Sequence, residues 1–297
     1  MTIAETVPAK PKQVAQRRSE WRRSLSVFLK PRPAKAGIVI LASIFIFIAV
    51  GPLLVPISPY DTSNMINSAP SLLHPFGTDY RGRDLFAQVA FGSHSTLSIA
   101  ILAALGADII GTIVGVFAGY YQKLNGILSA TNDTVLAFPA LPLLILLLLL
   151  FTYTDLFATL LLMLLLWAPI SRAIRPQVTS LKNLPYVDAA KMSGMSDARI
   201  ISRIIVPGIA PISVAYFILN VATSVIVVTA LEFLGIGNVN DVTWGSILYW
   251  AQQFAFYNGD WWWILAPGLI ISFFAIAFAL LGFALEEVFN PRLRSRR

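Results

Sequence analysis

Apolar residues in this chain run in blocks rather than in stripes. Six such blocks, near residues 36–56, 95–121, 135–151, 156–170, 209–234 and 262–285, alternate with polar connections. A helix needs about 20 residues to cross the hydrocarbon of a bilayer, and its backbone groups must be satisfied within the segment. The pattern therefore predicts an all-α polytopic membrane protein with six transmembrane helices. The fourth block is short, and the tight 152–155 link predicts a hairpin of spans three and four, with one re-entrant element as the alternative. Residues 84–95 are expected to form an amphipathic helix along the interface that feeds span two.

One connection departs from the block pattern. Between spans four and five, residues 186–207 read YVDAAKMSGMSDARIISRIIVP. Pro185 suits a first helical turn, Ala189 and Ala190 are strong helix formers, and Gly194 is where a helix stops or bends. Ser196 is placed to cap a second helix with Asp197 in its first turn and Arg199 and Arg203 four apart on one face. Pro207 and Gly208 are expected to break the run before span five. The prediction is a helix, a glycine corner and a second helix.

Composition agrees with membrane insertion. Of 297 residues, 57% are hydrophobic and 12% charged, and the mean hydropathy is +0.72. The absence of cysteine excludes disulfides and cysteine-ligated metals, and two histidines, His74 and His94, leave little for a histidine cluster. The net charge of +7 takes its meaning from where the charges fall. With six spans, 20 of the 22 basic residues lie on one side and only Arg81 and Arg83 on the other. By the positive-inside rule both termini are cytoplasmic, and the basic excess signals topology and contact with membrane lipid rather than nucleic acid. The chain divides into a basic arm (1–35), a first span with an extracytoplasmic loop (36–94), a five-span core (95–287) and a basic tail (288–297). The arm has no cleavable small-residue site before a short apolar core, so no removable signal is expected.

The polar connection resembles the coupling motif of binding-protein-dependent transport permeases, the membrane subunits of ATP-binding cassette importers. That motif reads E-A-A, three residues, G, nine residues, I-x-L-P; here it stands as Asp188-Ala189-Ala190, Gly194 and Ile204-Ile205-Val206-Pro207 with the intervals intact. HPFGTDYRGRD at 74–84, FLGIG at 233–237, TWGSIL at 243–248, Pro267-Gly268 and NPR at 290–292 are similar to the C-type subunits of the dipeptide, oligopeptide and nickel importers. Glu232, Asn125 and Asn290 depart from that pattern. The resemblance implies that Asp188, Ala189, Ala190, Gly194, Met195, Ser196 and Asp197 dock on a cytoplasmic ATPase. It further implies a homologous B-type permease, two ATP-binding cassette ATPase subunits, an extracytoplasmic solute-binding protein and a place in the inner (plasma) membrane of a prokaryote. ATP and Mg would be bound by the ATPase subunits, with no cofactor in this chain. Peptides are the default solute; oligosaccharides, nickel and glutathione are alternatives.

The remaining candidates are few. Asp108 is a carboxylate near the middle of span two, an expensive placement that marks a solute path or proton relay or a protonated or paired Asp at a subunit contact. Glu232, near the outer end of span five, faces the translocation path or snorkels to the interface. Residues 74–84 collect a histidine, aspartates and arginines, but their glycines and proline predict turns ordered by charge pairs. The aromatic residues of 235–263 form an interfacial belt or offer faces to sugars or a receptor. Glycines 111, 115 and 119 form a small-residue packing face. No G-x-x-x-x-G-K-[ST] or H-E-x-x-H occurs, so neither the P-loop route to ATP nor that zinc chemistry is available. An intramembrane enzyme built on Asp108 and Glu232, and a passive channel, are the readings from other classes.

Overall fold

Three glycines four residues apart set the centre of the molecule. The structure is a computed structural model that describes residues 31–151 and 153–289. Most of the basic arm and the tail from 290, with its NPR motif, lie outside the described residues. Helix α1 spans Arg32–Leu54, α2 Leu85–Tyr120, α3 Gln122–Ala137, α4 Ala140–Leu150 and α5 Asp155–Lys182. Then come α6 Pro185–Met192, α7 Asp197–Ile200, a π-helical segment Ile201–Ile205, α8 Val206–Phe233, α9 Trp244–Asn258 and α10 Trp261–Phe289. A Cβ on Gly111 would lie 2.6 Å from Trp167 O, one on Gly115 2.9 Å from Ile174 Cβ, and one on Gly119 2.6 Å from Arg175 O. The glycine face thus meets α5 backbone to backbone, as small-residue stripes do where no hydrophobic drive separates helix from lipid. Helix α2 also touches α1, α3, α8, α9 and α10, and is the hub of the bundle.

Among the described residues five helices are long and apolar enough to cross a membrane singly, and the bent pair α3–α4 has the length and composition of either a broken sixth span or a re-entrant loop. The expected third span, 135–151, is not one helix: α3 and α4 meet at 81°. Phe138 is extended, with ψ 133°, because the ring of Pro139 disfavours the helical region for the residue before it. The fourth span is longer than its apolar block, since α5 runs on through Pro169 and Pro176 to Lys182. Residues 84–95 do not lie apart along an interface. They are the first turns of α2, capped by the Asp84 side chain on Ala87 N and with Leu85, Ala87, Val89 and Ala90 buried.

Pro207 and Gly208 do not break the run before span five either. The helical path is continuous from Asp197 to Phe233, and the π-helical turn Ile201–Ile205 ends two residues before the proline. Proline lacks an N–H and crowds the carbonyl four residues back; the wider π turn places Arg203, which carries that carbonyl, where the crowding is relieved.

Two apolar clusters fill the bundle. One joins α2, α4, α5 and α8 and takes in Val187, Ile200 and Ile205 from the connection between α5 and α8. The other joins α1, α2, α8, α9 and α10.

Candidate functional site

Helix α6 ends in a left-handed glycine corner. Gly194 has φ +79°, its N–H donates to Lys191 O at 2.9 Å, and Met195 N–H donates to Ala190 O at 3.0 Å. This is the Schellman pair of bonds, which needs a residue free of left-handed strain at this position. Ser196 stands at the N-cap of α7, but its side chain makes no capping bond; its carbonyl accepts from Arg199 and Ile200 instead. The resulting elbow has two unlike sides. Val187, Ile200 and Ile205 are fully buried in the bundle, with Met195 packed beside them. Asp188, Ala189, Gly194, Ser196 and Asp197 are exposed, Ala190 is half-buried, and a Cβ built on Gly194 would meet nothing within 4 Å. Met192 is 89% exposed and Tyr186 53% on the same protrusion. The elbow is therefore bolted to the spans by its apolar side and presents a small, polar outer side with two bare apolar side chains.

The intramembrane carboxylates fall into different surroundings. Asp108 Oδ2 accepts from Ser213 of α8 at 2.8 Å, and Ser213 shares a 3.0 Å bond with Thr112, so α2 and α8 are stitched by a short polar chain. Asp108 Oδ1 has no hydrogen-bond partner among the described residues. Glu232 is 6% exposed, which does not fit a side chain snorkelling to the interface. Its Oε2 accepts from Thr243 Oγ1 at 2.8 Å and its carboxylate from Gly245 N–H, so it sits on the N-terminus of α9, where a negative charge is favoured. Ser213 and Glu232 are 19 residues apart on α8, roughly 28 Å at 1.5 Å per residue. Asp108 and Glu232 cannot act as one dyad.

The TWGSIL stretch is explained by the same corner. Thr243 and Ser246 form a reciprocal capping box, Trp244 Nε1 donates to Val89 O at 2.9 Å, and a Cβ on Gly245 would lie 2.4 Å from Glu232 Cβ. On this side of the bundle the 74–84 loop is held by charge pairs, as its turns predict. His74 Nδ1 meets Asp84 Oδ2 at 2.7 Å and Arg83 Nε meets Asp79 Oδ2 at 2.7 Å. Asp79 also accepts from Arg81 N, Arg83 N and Gln88 Nε2. With every carboxylate oxygen engaged in ordering the loop, the cluster is built for structure. The aromatic residues form less of a belt than their number suggests. Tyr80 stacks on Phe254 and Trp263, with Trp250 tilted against it, and Trp244 and Trp263 are fully buried. Only Phe256, Tyr257 and Trp261 stand well out, at 71%, 89% and 60%.

Residues 111–295 match the family described as binding-protein-dependent transport system inner membrane component. The chain belongs to this family. It is the permease component of an importer of the ATP-binding cassette class, and the resemblance read from residues 188–207 and 74–84 holds. Residues 19–75 of the permease match a second family, the N-terminal TM domain of oligopeptide transport permease C. The permease is 33% identical to a dipeptide transport system permease protein of Alkalihalophilus pseudofirmus, over 93% of this chain and 91% of the relative. It is 30% identical to an oligopeptide transport system permease protein of Haemophilus influenzae over 93% and 90%. A glutathione transport system permease protein of Pectobacterium atrosepticum is 29% identical over 94% and 93%. The pairing of Glu232 with Gly245, Asp108 with Ser213, and Tyr120 with Asp197 at 2.6 Å was not visible in the sequence.

Proposed function

We propose that this permease pairs with a homologous B-type permease, rests on two ATP-binding cassette ATPase subunits and admits peptides delivered by an extracytoplasmic binding protein. Both termini and the elbow face the cytoplasm of a prokaryotic cell, and the ATPase subunits hold ATP and Mg, because this chain has no P-loop. The observation that carries the reading is the two-sided elbow. Closing of the ATPases displaces its outer side, and the buried Val187, Ile200 and Ile205 pass that displacement to the spans as a push between packed elements. Solute passes between the two permeases, with Asp108 beside the path, whereas Glu232 braces α8 against α9.

A peptide cargo is favoured over an oligosaccharide. The names of the relatives point to peptides, and the rings that could stack on sugars are largely stacked on one another. Purification from native membranes tests the assignment. ATPase subunits that co-purify with the chain support it; solute flux through the chain alone, with no ATPase attached, would establish a passive channel.

A further inference from the structure

Tyr120 closes α2 at its cytoplasmic end, and three other elements converge on it. Its hydroxyl donates to Oδ1 of Asp197, the first residue of α7, at 2.6 Å. The ammonium of Lys191, in the last turn of α6, lies 5.9 Å over its ring. Its carbonyl oxygen accepts from Nζ of Lys182, the last residue of α5, at 3.1 Å. The tyrosine is 8% exposed, while Asp197 and Lys191 stand on the open surface. A depression of about 600 Å³, bordered by Tyr121, Lys123, Lys182, Lys191 and Asp197, opens beside the bond. The two partners thus have room to separate.

We propose that Tyr120 is a positioning residue for ATP-coupled transport, the tie through which displacement of the elbow reaches α2. The proposal rests on the reading of the elbow as the ATPase-docking surface. The side chains that seat the elbow in the bundle, Val187, Ile200 and Ile205, are apolar and have no preferred direction, and the helix continuous from Asp197 to Phe233 ties it to α8 but not to α2. A hydrogen bond from a hydroxyl to a carboxylate is short, directional and about twice as strong as a neutral one. It fixes the four-residue α7 against the end of α2, and the Gly111, Gly115 and Gly119 contacts then carry α5 along with α2. Without the tie displacement of the elbow still enters α8 through the continuous helix, and α2 lags behind.

The test uses the intact complex, with both permeases, ATPases and receptor, in liposomes, and reads solute moved per ATP hydrolysed. Tyr120→Phe removes one oxygen. It is expected to lower that ratio about tenfold, the scale of one hydrogen bond to a charged group, with the ATPases still bound. Asp197→Ala should lower it to the same extent, and the double variant no further, because both substitutions remove one interaction. Tyr121→Phe, one residue on, is the control and keeps the ratio of the unaltered complex. A Tyr120→Phe complex whose uptake and hydrolysis fall together at unchanged ratio overturns the proposal, as do single effects that multiply in the double variant. An unaltered complex without ATPases would defeat the docking reading beneath it.

Discussion

Gly194 has two duties that different substitutions separate. Its φ of +79° requires a residue at ease in the left-handed region, and the open space around it is where a partner would approach. Asn tolerates that conformation and stays small, so Gly194→Asn should keep most uptake, whereas Gly194→Trp should abolish uptake at an unchanged membrane level; uptake assays with membrane immunoblots check both. Glu232→Ala would leave the Thr243 hydroxyl and the Gly245 N–H without their acceptor. The expected loss is about 1–3 kcal/mol, read as a lower Tm in detergent. Asp260 is 4% exposed, and burial raises its pKa above the ordinary 3.8 although a bond with the Asn258 side chain opposes the shift. A carboxylate whose folded pKa is raised holds its proton more tightly folded than unfolded, so its contribution to stability is greatest in acid and is lost as pH rises through the folded pKa. Asp260→Asn should flatten that part of the Tm–pH curve. At this scale the Asp188-Ala189-Ala190 and Gly194 spacing was legible because it is local. The partners of Tyr120 and Asp108 lie 77 and 105 residues away and leave no local signal.

The contact between α2 and α5 is where single side chains decide the packing of whole elements. Gly115→Leu would drive a side chain into Ile174 and the Ser171 carbonyl, which lie 2.9 and 3.0 Å from the position of a Cβ. Overpacking of this kind costs about 1–3 kcal/mol or more, and the measurement is Tm together with the yield of folded chain in detergent. Block hydrophobicity located the five long helices and the bent pair because desolvation of the backbone makes apolar length obligatory. It misjudged their ends for reasons that are physical. Arg172 and Arg175 look like a loop, yet they extend α5 by finding Asp133, Asn125 and Ser129 on α3. Pro207 looks like a breaker, yet a π turn accommodates it. The Phe138-Pro139 step was a readable break whose effect was hidden by the leucines that follow.

For the molecule as a whole, the side of the membrane occupied by each loop is open to direct measurement. The chain has no cysteine, so single cysteines report without background. Leu72 is fully exposed in the loop between α1 and α2 and Met192 is 89% exposed on the elbow. Leu72→Cys should react with a membrane-impermeant maleimide in intact cells, and Met192→Cys only after the membrane is opened; the reverse pattern would invert the orientation and detach the elbow from any cytoplasmic motor. The short α4 adds a condition set by the lipid itself. Its eleven residues reach roughly 16 Å, about half of a ~30 Å hydrocarbon layer, while its neighbour α5 runs for 28 residues. Where α4 faces lipid without α3 to complete the crossing, a bilayer thicker than its reach is met by thinning, at a cost that grows with mismatch. Transport in vesicles should accordingly slow as acyl chains lengthen, which makes membrane thickness a variable of the uptake cycle.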